Sequence, residues 1–312
     1  MKAFIFDPLW DELVTEDLLA KLSSENIEII VTKDKLALSD CKVLYEGDDE
    51  RILCINPDYV DWNLKEEDYK DIPNLKAILG AATSYQWIES SFADKNNIPI
   101  CNVRNFSTQA VAEWAVTMML NLARRIPLLI KEDFPLDFDK DFMKYRGIEL
   151  KGKTVGIVGM GHIGEAIAER CAGLGMSVRY WSENTKSDRY EYCDLEKLVS
   201  ESDVIFPAMA INDDTKKVLS NDLLATLKGQ AILVSIVHGL FDENFILEQV
   251  KSGQLFGFGF EAEPKSFRKY EGNVWAAPAY AWTTKESMNN SMEKWVENMV
   301  NAARGSFLNR VN

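Results

Sequence analysis

The feature that most constrains this chain is a short apolar run, TVGIV, that passes straight into Gly159-Met160-Gly161-His162-Ile163-Gly164 and then into a helical pattern, IGEAIAERCAGLG. A lone Gly-x-Gly-x-x-Gly says little, but between a strand and a helix it is a phosphate-binding turn. In that context Gly159 makes the tight turn, Gly161 lets backbone meet a pyrophosphate, and Gly164 lets helix and strand pack closely. The helix start adds N–H donors and the positive end of its dipole. The turn therefore predicts a Rossmann domain holding a nicotinamide dinucleotide. His162, inside the turn, is expected to make backbone contact or face solvent rather than transfer protons.

The surroundings agree with that reading. Before the turn, KAFIF, IEIIV, KVLYE, ILCIN, LKAILGA and IPICNV read as strands, with amphipathic segments such as DLLAKLSSE between some of them. After it come MSVRYW, DVIFPAM, QAILVSIV and QLFGFGF, again separated by helical patterns. Parallel strands joined by helices need right-handed crossovers and stack into doubly wound sheets. A length of 312 residues suits two domains of about 100 to 200 residues each. A long helix spans Thr108 to Arg125, within an apolar stretch from Val111 to Ile130, and the acidic KEDFPLDFDKD follows as an exposed connection. Past Trp282, Met288, Met292, Trp295, Val296, Met299 and Val300 recur at helical spacing as a core-packing face.

Charge and cysteine usage narrow the function. The net charge of −14 leaves no positive face for nucleic acid or anionic membrane. The Val111–Ile130 stretch contains Glu113, Asn121, Arg124 and Arg125, so it falls short of a membrane span and reads as a buried or interface helix. The five cysteines are odd in number and lack C-x-x-C spacing, so neither a metal site nor a disulfide framework is expected. With no apolar signal core in MKAFIFDPLWDEL, a cytoplasmic location is expected.

Choice of cofactor turns on the end of strand MSVRYW, where an acidic residue normally holds the adenine ribose hydroxyls. Ser182 stands there and cannot repel a 2′-phosphate, while nearby Lys186 attracts one, which favours NADP over NAD. Adjacent Glu183 can bond ribose hydroxyls or repel the phosphate, so both cofactors stay open.

At this point the chain resembles the D-isomer-specific 2-hydroxyacid dehydrogenases, the hydroxypyruvate and glyoxylate reductase branch above all. The resemblance rests on VAEWAVTMMLNLAR, ELKGKTVGIVGMGHIGEAIAERCAGLGMSV, DVIF with a downstream DDTKKVLS, FEAEP and AWTTKES. It implies an α/β protein in which a Rossmann nucleotide-binding domain, residues 103–283, is inserted into a smaller flavodoxin-like substrate domain, residues 1–102 and 284–312. It also implies a homodimer through the long helix, cofactor contacts that include Thr108, and a small 2-oxo or 2-hydroxy acid in the cleft between domains.

The family's chemistry uses an Arg that grips the substrate carboxylate, a Glu, and a His that is acid and base beside that Glu. The Glu matches Glu263, but the Arg position holds His238 and the His position holds Ala279. Phe258 replaces the Asp that contacts the nicotinamide amide. The substrate loop, glycine-rich in the family, reads Ala81-Ala82-Thr83-Ser84-Tyr85, with Ala82, Thr83 and Ser84 as its backbone donors and Tyr85 or Trp87 narrowing the approach. Two functions follow: an oxidoreductase with altered, impaired catalysis in which His238 takes over proton transfer beside Glu263, or a catalytically silent dinucleotide-binding protein.

Overall fold

The apolar runs of the first third are bounded by turn residues and too short for helices, so they pair as strands. The computed structural model describes residues 1–132, 140, 142–262 and 269–312. In it the chain divides into two compact units, Met1–Ser107 with Thr284–Asn312, and Thr108–Thr283. The first unit is built on β1 (Lys2–Phe6), β2 (Glu28–Thr32), β3 (Arg51–Ile55), β4 (Leu75–Gly80) and β5 (Ile100–Cys101). These lie in the order β2-β1-β3-β4-β5, all parallel, which is the flavodoxin-like order. Trp10, Leu22 and Trp295 pack one apolar layer, and Tyr59, Tyr69 and Trp87 the other. With both faces covered, β3 is buried at every residue instead of alternating.

The C-terminal helix, Lys285–Ala303, belongs to this unit. Thr284 and Ser287 cap its start reciprocally, the Thr284 hydroxyl accepting the Ser287 N–H at 3.1 Å and the Ser287 hydroxyl accepting the Thr284 N–H at 3.2 Å. The AWTTKES segment is thus a helix start. One helical face then drives Trp295 into the core, where its indole N–H donates to the Leu79 carbonyl at 3.0 Å.

KVLYE is not a strand. It forms a single tight turn, Lys42–Leu44, because Cys41 and Leu44 are buried three residues apart while Val43 is half exposed, a turn spacing and not an alternating one.

The second unit carries β6 (Thr154–Val158), β7 (Ser177–Trp181), β8 (Glu191–Tyr192), β9 (Val204–Pro207), β10 (Ile232–Ser235), β11 (Gly257–Glu261) and β12 (Val274–Ala277). Among the described residues they form one parallel sheet ordered β12-β11-β10-β9-β6-β7-β8. The order reverses between β6 and β9, so a crevice opens there at the carboxyl ends of the strands. The helices Thr108–Ala123 and His162–Gly173 cover one face.

The apolar stretch Val111–Ile130 is not one helix. It stops at Ala123, Arg125 takes a left-handed backbone (φ 53°), and a second helix runs Ile126–Lys131. Pro127 explains the break, since its ring would clash with the carbonyl of Ala123 in a continuous helix. That carbonyl instead accepts the Ile148 N–H at 2.8 Å. Among the described residues no helix is long and apolar enough to cross a membrane. All five cysteines are buried and free.

Candidate functional site

The glycine turn leaves β6 at the switch point. Gly159 has φ 102°, which a side chain rarely adopts, and a Cβ there would press on Met209 and Ala208 just past β9. A Cβ at Gly164 would meet the Gly159 carbonyl oxygen at 2.1 Å, so the first helical turn packs directly on the loop. Gly161 differs: a Cβ would meet nothing within 4 Å, because that side of the turn is open. The helix His162–Gly173 starts here with no side-chain cap, which leaves its first N–H groups free to meet an anion. His162 is exposed and Ile163 half-buried at the helix start.

Past β7 the chain makes a tight loop. The Ser182 hydroxyl accepts the Thr185 N–H at 3.3 Å, and the Tyr180 hydroxyl accepts the Ser187 N–H at 2.8 Å. Glu183 and Lys186 are exposed on it. Between this loop and the glycine turn lies a cleft of about 260 Å³ lined by Met160, Glu165 and the stretch from Thr185 to Arg189. Arg189, which the spacing argument passes over because it lies eight residues beyond the strand end, is engaged by Glu169 at 3.2 Å and Glu165 at 3.7 Å.

Thr108 opens the long helix and is half-buried. In the other unit, the loop after β4 is pinned from behind. Val103 N–H donates to the Ala82 carbonyl at 3.1 Å, and the Thr83 hydroxyl donates to the Val103 carbonyl at 2.9 Å. Thr83 and Ser84 are exposed. Trp87 does not line an open approach: it is 7% exposed, and its indole N–H donates to the Ser84 carbonyl at 2.8 Å. Tyr85 remains on the surface.

His238 follows β10 with its side chain 72% exposed, and its Nδ1 lies 3.0 Å from the Glu243 carboxylate. Its expected partner, Glu263, lies outside the described residues. A second carboxylate within electrostatic reach of His238 is Glu261, the last residue of β11. It is half-buried, its Oε1 accepts the Ala281 N–H at 3.1 Å, and burial raises its pKa above the ordinary carboxylate value despite the opposing Ala281 N–H and His238. Glu261 stands in the quoted FEAEP but escapes notice there, since matching by motif points to the acid before Pro264. Strand parity would have found it: Gly257, Gly259 and Glu261 share one face of β11, while Phe258 and Phe260 stack on the other at 4.6 Å. Phe258 is fully buried in the core. Ala279 and Tyr280, after β12, are exposed.

Known proteins place this geometry. Residues 116–284 match the D-isomer specific 2-hydroxyacid dehydrogenase NAD binding domain. A glyoxylate reductase of Thermococcus litoralis is 31% identical over 278 residues, 83% of this chain and 82% of that protein. A glycerate dehydrogenase of Methylorubrum extorquens is 29% identical over 250 residues, 76% and 78% of the two chains. Among solved structures, a glyoxylate reductase from Paecilomyes thermophila superposes with a TM-score of 0.81 at 22% identity over 99% of this chain and 97% of that one, a likeness of fold. The chain belongs to the D-isomer specific 2-hydroxyacid dehydrogenase family.

Proposed function

We propose that this protein is a cytoplasmic NAD(P)-dependent oxidoreductase that interconverts a small 2-oxo acid and its 2-hydroxy acid, with altered catalysis. The observation that carries the reading is the open face of Gly161 at the switch point, where backbone N–H groups and no side chain meet an incoming pyrophosphate. Gly159, Gly161, His162, Ile163 and Gly164 would hold the pyrophosphate, and Thr108 would add a further cofactor contact. Ser182, Glu183 and Lys186 would meet the adenine ribose, and the absence of an acid at Ser182 favours NADP. Once bound, the nicotinamide supplies or accepts the hydride at the substrate's C2.

The unit Met1–Ser107 with Thr284–Asn312 is the substrate domain in this reading, and the backbone of Ala82, Thr83 and Ser84 receives the carboxylate. Glu263 keeps the family's acidic position. His238 in place of Arg offers one hydrogen bond and not a bidentate fork. Loss of a charged contact of about 1.5 to 3 kcal/mol lowers kcat/KM by roughly ten- to a hundredfold. The names of the relatives, glyoxylate reductase and glycerate dehydrogenase, support two- and three-carbon acids as substrates.

The test is oxidation of NADPH and NADH on addition of glyoxylate, hydroxypyruvate and larger 2-oxo acids. Slow but saturable oxidation with the small acids is expected. Cofactor binding without oxidation by any acid would instead mark a silent dinucleotide-binding protein, a reading favoured only by the lack of an ionisable group at Ala279.

A further inference from the structure

We infer that Glu261 is the proton donor and acceptor of this site, an assignment that rests on the oxidoreductase reading above. Three features of the second unit converge on it. The residue ends β11, at the carboxyl edge of the sheet where open α/β folds bind their ligands. Its carboxyl group is half-buried yet reachable, and the Ala281 N–H fixes Oε1 at 3.1 Å, leaving Oε2 to carry a proton. The loop that supplies this N–H is the one bearing Ala279, which has no ionisable atom, so the acid function of that loop passes to the carboxyl group bonded to it.

Burial favours the protonated carboxyl, which keeps a proton available nearer neutral pH than an exposed Glu would. His238, from the loop after β10, is the described charge that acts on Glu261, and its other neighbour is Glu243 at 3.0 Å. Tyr280, from the loop after β12, is exposed. In the reductive direction the Glu261 O–H bond breaks and its proton goes to the 2-oxo oxygen as C2 takes the hydride. The products are the 2-hydroxy acid, the oxidised cofactor and the Glu261 carboxylate. Solvent at the half-buried carboxyl returns the proton. Oxidation runs the same path backwards, with the Glu261 carboxylate taking the hydroxyl proton.

Reduction needs protonated Glu261, so its rate falls as pH rises through the raised pKa, while oxidation rises over the same interval. His238, when charged, lowers that pKa, so His238→Ala should move both limbs to higher pH.

The experiment pairs kinetics with a titration that needs no turnover. In cofactor-free protein, carbon-13 NMR of labelled Glu, assigned by comparison with Glu261→Gln, should show Glu261 titrating above the ordinary Glu value. With glyoxylate and NADPH, Glu261→Gln should lose about 10² to 10⁴ in rate and flatten the pH profile, with NADPH binding unchanged. Glu261→Asp, which keeps the carboxyl, should retain part of the rate and the pH limb. Turnover that survives Glu261→Gln with the parental pH profile, or Glu261 titrating at or below its ordinary value, overturns the assignment and leaves the oxidoreductase reading intact. A parent that binds NADPH but reduces no 2-oxo acid overturns both.

Discussion

Ser182 stands just past β7, where an acid would be expected to meet the adenine ribose, and its hydroxyl is occupied by the Thr185 N–H. The loop it closes carries Lys186 outward, while the nearby Arg189 is engaged by Glu165 and Glu169. Lys186 is therefore the cation better placed to meet a 2′-phosphate. Because it is exposed, the contact is worth about 1 kcal/mol, or roughly fivefold in affinity. Fluorescence titration should show Lys186→Ala binding NADPH about fivefold more weakly while NADH binding holds. Equal weakening of both would remove Lys186 from the ribose site. At this scale the sequence was partly legible. Gly159 and Gly164 are readable from spacing because each meets a backbone or packing constraint that a side chain would break, whereas Gly161 is required only by the ligand it is expected to meet. Glu261 could not be matched by motif, because what singles it out is its burial and an N–H twenty residues further on, which only the folded chain brings to it.

Secondary-structure elements were readable where a long period repeated. The C-terminal helix displays its apolar face over several turns, and its capping residues stand at the spacing a helix start requires. KVLYE misled because a run of apolar and aromatic residues looks like a strand until burial at Cys41 and Leu44 shows its period. VWAA, the strand β12, is hard to read because it is only four residues long and three of the four are buried, leaving no alternation to detect. The second helix after Ala123 was foreshadowed by Pro127, a signal that an apolar run obscures. Trp295 anchors the C-terminal helix: it is 1% exposed, meets Trp10 edge to face at 6.2 Å and donates to Leu79. Trp295→Ala should cost about 3 to 5 kcal/mol, measured by urea unfolding. Trp295→Phe, which keeps most of the ring but strands the Leu79 carbonyl, should cost about 1 to 3 kcal/mol. A Trp295→Ala cost below 1 kcal/mol would mean the helix is held by something else.

For the whole molecule, the alternation of strand and helix foretold two parallel sheets, and right-handed crossovers left few orders for them to take. The reversal between β6 and β9 explains why one glycine turn out of a whole chain defines the ligand crevice. Assembly was less legible. Nine residues of the helix Thr108–Ala123 are buried, which accounts for much of the apolar surface that the sequence seemed to hold in reserve for a partner. Leu120, 40% exposed, and the half-buried Trp114, Ile126, Leu128, Leu129 and Ile130 remain as apolar surface of this region. We propose that they contribute to a homodimer, so light scattering should return about twice the 35.4 kDa chain mass; a monomer at micromolar concentration would contradict that. Whether the Gly159–Gly164 turn holds a nicotinamide dinucleotide is decided by cofactor titration of Gly161→Val. Gly161 has an extended backbone (φ −83°) and a Cβ would meet nothing within 4 Å, so the variant should keep the parental fold and Tm. The new side chain fills the space where a pyrophosphate would meet its backbone donors, charge-assisted bonds worth about 1.5 to 3 kcal/mol each. A folded variant that no longer binds NADPH or NADH is expected. A folded variant that binds either cofactor as tightly as the parent would contradict it.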